Sequence, residues 1–133
     1  MRSAMFLSGA IVALGLMAQS SASAQDAAAG ERLFNQCRAC HQLGETARNG
    51  VGPQLNGLFA GRKAGSAAGY TYSDAYKALD KTWSEENFRV YIKDPRAVTP
   101  GTKMVYAGMK DDTQITNLIA FLKQWGADGK RTQ

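Results

Sequence analysis

Cys37-Arg38-Ala39-Cys40-His41 contains both cysteines and the only histidine of a 133-residue chain. C-x-x-C-H is the spacing that covalent haem attachment needs. Two thiols one helical turn apart can each add to one vinyl group of a protoporphyrin ring. The histidine after the second thiol is then carried under the iron, where its imidazole can serve as an axial ligand. The alternatives are a redox dithiol, a structural disulfide or part of a zinc site. A thioredoxin-like dithiol belongs beside a βαβ pattern in a cytosolic chain, and neither is found here. Zinc wants a fourth ligand of Cys or His type, and the chain has none left.

The N-terminus has the pattern of an export signal. Arg2 supplies a positive start, and Ala4 to Ala18 form a mostly apolar run. A small-polar stretch then ends in Ala22-Ser23-Ala24, an A-x-A cleavage pattern. The run is too short to span a bilayer comfortably, so an uncleaved anchor is the lesser alternative. We expect residues 1–24 to be a cleaved signal peptide and residues 25–133 a single periplasmic domain beginning at Gln25. No stable membrane insertion is expected. Removing Arg2 from 16 Lys+Arg leaves 15 against 11 Asp+Glu, a formal charge of +4 for the mature chain. Two ionised haem propionates would bring this to about +2. Such a surface steers toward acidic partners, and no Lys/Arg cluster with interleaved aromatics argues for nucleic acid. Nothing demands more than a monomer.

Helical periodicity predicts an all-α chain of four helices joined by glycine-rich loops. The first covers about Ala27 to Gln36 with Asp26 as N-cap, and it carries Ala29, Leu33, Phe34 and Cys37 on one face. Gly30 inside it costs about 1 kcal/mol relative to alanine. Either the close approach of another helix or an irregular helix start accounts for it. A second helix, Asp74 to Leu79, is capped by Ser73. The third starts at Ser84, places Glu85 and Glu86 at the positive end of its dipole and stops at Pro95. Trp83 and Phe88 have the spacing of a hydrophobic staple. The last runs from about Asp112 to Trp125, with capping-box spacing at Asp111 and Gln114 and a stop at Gly126. The loops from Gln42 to Ala68 and from Arg96 to Lys110 are long for a compact domain, and a buried haem would give them something to wrap around.

With His41 and the cysteines used, Met, Lys, Tyr or water remain for the other axial position. A thioether favours Fe(II) and raises the potential. Met104 follows an extended Pro100-Gly101 turn, which favours it over Met109, read as packing or surface; a lone Met is otherwise core filler.

Together these residues resemble the class I c-type cytochromes, in particular small soluble bacterial carriers close to mitochondrial cytochrome c. The resemblance runs from about Gly30 to Trp125. Its landmarks are Cys37 to His41, Gly52-Pro53-Gln54-Leu55-Asn56-Gly57-Leu58, Gly61-Arg62-Lys63, Tyr70-Thr71-Tyr72-Ser73-Asp74-Ala75 and Pro100 to Met109. It implies a cytochrome c fold, a few helices and long loops around one haem c bound through Cys37 and Cys40. It also implies His41 and Met104 as the iron ligands. By the same resemblance the Pro53 carbonyl accepts the far ring proton of His41, and Tyr91 bonds near the Met104 sulfur. Tyr72 and Trp83 reach a propionate with Arg62 nearby, and Thr102 belongs to the haem-binding set. Gly30 and Phe34 cross the last helix against Leu118 and Phe121.

The chain departs from its relatives in places. Ala60 reads as an insertion, and the loop after His41 is one residue longer. Tyr76 replaces a small polar residue near the buried haem edge, which leaves the partner of its hydroxyl open. Arg96, Lys103 and Lys110 fit the basic ring around the exposed edge, whereas Gln36, Ala97 and Asp111 interrupt it.

The implied function is one-electron transfer with no substrate to transform, and so no enzyme activity. The implied partners are membrane redox complexes: a quinol-oxidising cytochrome bc complex, a terminal oxidase or a photosynthetic reaction centre. The alternatives are a dedicated acceptor for one periplasmic dehydrogenase, and an open-iron haem peroxidase or gas sensor.

Overall fold

The computed structural model describes residues 26–132, so the expected signal peptide and its cleavage point lie outside the described residues. Among the described residues there are five α-helices: α1 (Ala27–Phe34), α2 (Asp74–Lys77), α3 (Glu85–Lys93), α4 (Pro95–Val98) and α5 (Asp112–Leu122). Among the described residues there is no strand, only isolated antiparallel bridges at Lys63–Thr82 and Trp125–Arg131. None of these helices is long and apolar enough to cross a membrane.

Capping side chains mark most of the starts. Asp26 accepts the Ala29 N–H at 2.9 Å, and Asp111 accepts the Gln114 N–H at 2.8 Å. Ser84 and Asn87 form a reciprocal box, each side chain accepting the other's backbone N–H, at 3.1 and 2.9 Å. Trp83 and Phe88 meet edge to face at 6.2 Å, as the staple spacing predicts.

Helix α1 ends at Phe34 rather than Gln36, where the tight turn Asn35–Cys37 takes over, and three further differences from the sequence expectation follow. Helix α2 ends at Lys77 rather than Leu79, where the Leu79 N–H turns back to the Tyr76 carbonyl at 3.1 Å. Helix α5 ends at Leu122 rather than Trp125, because Gln124 and Trp125 tighten into i→i+3 bonds and Trp125 pairs with Arg131. Helix α4 falls in a stretch read as loop. Asp94 precedes a proline and is driven out of the helical region, to φ −160° and ψ 84°, which ends α3. Its carboxylate then accepts the Ala97 N–H at 3.0 Å and caps a new helix with Pro95 in the first turn, where a missing N–H costs nothing. One proline both stops a helix and starts the next.

The core forms where α1 crosses α5. Phe34, Ile115, Leu118, Ile119, Phe121 and Leu122 are buried there, each contributing about 1.5–3 kcal/mol of apolar burial. Phe34 and Phe121 lie 5.4 Å apart. A Cβ on Gly30 would fall 1.9 Å from the Asn117 carbonyl oxygen, so close helix approach is the reason for that glycine. Arg131 covers the outside of this crossing, with its guanidinium over Phe121 and Trp125 and bonded to Glu31 at 3.2 Å.

The long loop after His41 satisfies its backbone with side-chain amides rather than with a ladder. Asn56 accepts the Gly44 N–H at 2.9 Å and donates to the Gly44 carbonyl at 2.8 Å. Gln42 accepts the Arg48 N–H, and Asn49 accepts the Gln54 N–H and donates to the Ala68 carbonyl.

Candidate functional site

Helix α1 passes into a single tight turn, Asn35–Cys37, that carries the cysteine cluster. The Cys37 carbonyl accepts both the Cys40 N–H at 3.1 Å and the His41 N–H at 2.9 Å. This closes one helical turn between the thiols and sends the histidine inward. Both cysteines are free and half-buried. Burial pushes the Cys37 thiol up to about 11, with the neighbouring Cys40 adding to it and Arg38 opposing. A nucleophilic redox dithiol has the opposite tendency.

His41 is oriented from its far side. Its Nδ1 lies 2.7 Å from the Pro53 carbonyl oxygen, which can only accept. The ring proton therefore sits on Nδ1, and the Nε2 lone pair is left for a metal. Burial lowers the imidazole from its ordinary value of 6.5, which keeps it neutral as ligation requires. Gly52 makes room for the ring: a Cβ there would stand 2.4 Å from His41 Cε1.

A cavity of about 1310 Å³, mouth included, opens beside this turn. It is lined by Cys37, Cys40, His41, Pro53, Arg62, Tyr72, Trp83, Tyr91, Thr102 and Met104, so the structure brings all ten sequence-expected site residues to one space. Phe34, Leu55, Leu58, Phe88, Ile92, Leu118 and Leu122 supply apolar wall. Met104 is half-buried, and its sulfur accepts the Tyr91 hydroxyl at 3.1 Å. Its own N–H donates to Thr102 Oγ1 at 3.2 Å. Met109 instead is buried in the core, its N–H bonded to the Ile92 carbonyl at 2.8 Å.

Arg62 and Trp83 are brought together by the bridge beside them, through the Trp83 N–H to the Arg62 carbonyl at 2.9 Å. Arg62 Nη1 donates to the Gln54 and Asn56 carbonyls at 2.7 and 3.2 Å, which leaves its other N–H groups for a ligand. Tyr72 accepts the Ala67 N–H at 3.0 Å and keeps its own proton to donate.

The cytochrome c family model matches residues 27–125. The chain belongs to the cytochrome c family. Among curated relatives it is 51% identical over 122 residues to cytochrome c-554 of Methylosinus trichosporium, covering 92% of each chain. It is 56% identical over 110 residues to cytochrome c2 of Blastochloris viridis, covering 83% of this chain and 86% of that one. Among solved structures, cytochrome cH from Methylobacterium extorquens superposes with a TM-score of 0.68 at 45% identity, over 74% of this chain and 97% of that one. Cytochromes c are electron-transfer carriers with haem c attached through two cysteines.

The residues present suit that group. A thiol pair on one turn, an imidazole with a free Nε2 in a cradle that only glycine leaves open, a thioether held by a phenol and a largely apolar wall have the chemistry that a covalently attached haem requires.

Several wall residues carried no role in the sequence. Gly52 is legible as a Gly-Pro pair, but its purpose needs the position of His41. Val51 and Val105, 74% and 83% exposed, line the cavity, and no periodicity singles them out. Tyr70 donates to the Val51 carbonyl at 2.8 Å, and Lys103 donates to the Thr71 carbonyl at 2.9 Å. Lys103 is thus tied to the cavity loop as well as charged.

Proposed function

We propose that this chain is a periplasmic one-electron carrier, exported by removal of residues 1–24, with one haem c bound through Cys37 and Cys40 and ligated by His41 and Met104. The bound haem supplies the Fe(II)/Fe(III) couple. Everything else is done by the protein. Pro53 holds His41 in the tautomer that would ligate iron, and Tyr91 with Thr102 holds Met104 at the cavity, so both donors would be oriented for a haem bound there. The apolar wall would keep water from a bound haem and limit reorganisation around it. Arg62, Tyr72 and Trp83 offer donors to propionates. Val51 and Val105 provide exposed apolar contact, and Arg96 and Lys103 provide charge that sets the on-rate for membrane redox complexes.

The observation that carries this reading is the Tyr91–Met104 hydrogen bond at the cavity that His41 also lines. Absorption spectra of the exported protein test it. A ferric band toward the red end from sulfur–iron ligation is expected, with no carbon monoxide binding after reduction. Met104→Leu should abolish the band and admit carbon monoxide. Wild-type protein that lacks the band and binds the gas would be an open-iron peroxidase or gas sensor instead. An N-terminal mass beginning at Gln25 checks the export step. Capture of the oxidising partner separates a respiratory or photosynthetic shuttle from a dedicated dehydrogenase acceptor.

A further inference from the structure

We propose that the C-terminal hairpin, residues 124–132, is a clasp that positions His41 by pinning the neck of the loop behind its ring, with Arg131 as the positioning residue. This rests on the reading of His41 as an iron ligand. The loop from Gly44 to Gly57 is closed on itself by Asn56, whose side chain bonds the N–H and the carbonyl of Gly44 at 2.9 and 2.8 Å. It carries Gly52 and Pro53, both of which lie against the His41 ring. Gly44 and Gly57 are therefore its neck, and the hairpin seats on both. The Gly57 N–H donates to the Trp125 carbonyl at 3.1 Å, and a Cβ on Gly57 would stand 2.8 Å from Ala127 Cα. A Cβ on Gly129 would stand 2.3 Å from the Gly44 carbonyl oxygen. Backbone meets backbone at both points.

The hairpin is fastened at its other end. The Gly126 N–H donates to the Lys130 carbonyl at 3.0 Å, and the Thr132 N–H donates to the Gln124 carbonyl at 2.6 Å, which ties its two arms together. Arg131 then bonds Gln124 at 3.0 Å and Glu31 of α1 at 3.2 Å. Its guanidinium lies 5.5 and 5.6 Å from the ring centres of Phe121 and Trp125. Helix α1 leads into the turn that carries the thiols. One clasp thus holds in a single frame the helix that aims Cys37 and Cys40 and the loop that aims His41. Releasing Arg131 frees the hairpin from α1, and the neck loses the surface on which it rests. The Pro53 carbonyl can then leave the imidazole, while the Phe34–Phe121 contact keeps α1 on α5. An imidazole without its far hydrogen bond is a weaker donor through Nε2.

The test is native-state hydrogen exchange, followed by NMR on reduced haem-loaded protein carrying Arg131→Ala, Gly129→Ala or Gly30→Ala. The last weakens the α1–α5 crossing without touching the loop. A substitution accelerates exchange only for protons exposed by openings that break the altered contact. In Arg131→Ala the His41 ring N–H and the Gly44 and Gly57 N–H groups should exchange about tenfold faster, the combined effect of an exposed ion pair and a cation over two rings. Gly129→Ala should accelerate the same protons, because its methyl forces the hairpin off Gly44. In Gly30→Ala they should keep their wild-type rates while the Ile119 N–H of α5 exchanges faster. Loop protons that hold their wild-type rates in Arg131→Ala, or that accelerate equally in Gly30→Ala, overturn the clasp alone. Reduced wild type whose His41 ring resonances carry no shift from the haem overturns the ligand reading and this inference with it.

Discussion

Replacing Gly30 by alanine sets two effects of opposite sign against each other. In an isolated helix the change favours folding by about 1 kcal/mol, because alanine loses less backbone entropy. In this fold the new methyl would lie 1.9 Å from the Asn117 oxygen, 2.6 Å from its carbonyl carbon and 2.8 Å from Phe121 Cβ. Two of those atoms are backbone of α5 and cannot swing away. Helices α1 and α5 must therefore part locally by about 1.5 Å before contacts reach the 3.4 Å of ordinary packing. That opens the Phe34–Phe121 contact, and overpacking of this kind costs about 3 kcal/mol. The net expectation is a loss of about 2 kcal/mol, or about 8–16 °C in Tm for a domain of this size. Thermal and urea unfolding of haem-loaded Gly30→Ala would measure it. Gly30 does not line the cavity, so the visible spectrum of the folded variant should match wild type. A variant that melts at or above the wild-type temperature would refute the reasoning, since propensity would then outweigh the crossing.

Gly52→Ala should push the His41 ring off the Pro53 carbonyl, because its Cβ would stand 2.4 Å from Cε1; a shifted visible spectrum and about 1–3 kcal/mol lower stability are expected, and an unaltered spectrum would count against the cradle. Arg96→Glu should slow electron uptake from a membrane redox complex up to about tenfold at low salt and converge with wild type at high salt, whereas identical rates at every ionic strength would remove steering. Arg96 is a cleaner probe than Lys103, whose replacement also breaks the bond to Thr71. Lys93 holds Asp112 below its ordinary 3.8 by a hydrogen bond and by charge, at 2.7 Å. A depressed carboxylate contributes stability above its unfolded value and loses it as pH falls through its folded one. The stability gap between wild type and Asp112→Asn should accordingly be small and salt-sensitive near neutrality, and should close below about pH 4 in chemical denaturation; a gap that widens with acid would contradict the sign.

Much of the site is local in sequence and therefore legible there. The five-residue cluster defines its own helical turn, and Asp26, Ser73, Ser84 and Asp111 announce helix starts by a bond that reaches only three residues. The preference for Met104 over Met109 drew on a local turn and gained specificity from the family resemblance. Helix α4 is not legible when Pro95 is taken only as a stop, because Asp94-Pro95 is equally a start signal. The apolar stripe of α5 continues to Trp125 and so hides the helix end at Leu122, because the pairing of Trp125 with Arg131 is a tertiary event.

Sequence alone determined which chemistry is available: thiols and imidazole at attachment spacing, one thioether after a Pro-Gly turn, and amphipathic helices of the right period. Only the tertiary structure decided how those groups are aimed. Gly30 acquires its purpose from Asn117, Gly52 from His41, and the Tyr72–Tyr76–Tyr91 wall from two segments, the start of α2 and α3, that meet around one cavity. The reason is physical. Covalent spacing and capping act over a few residues, whereas steric exclusion and hydrogen-bond direction act between atoms that chain folding brings within a few ångströms.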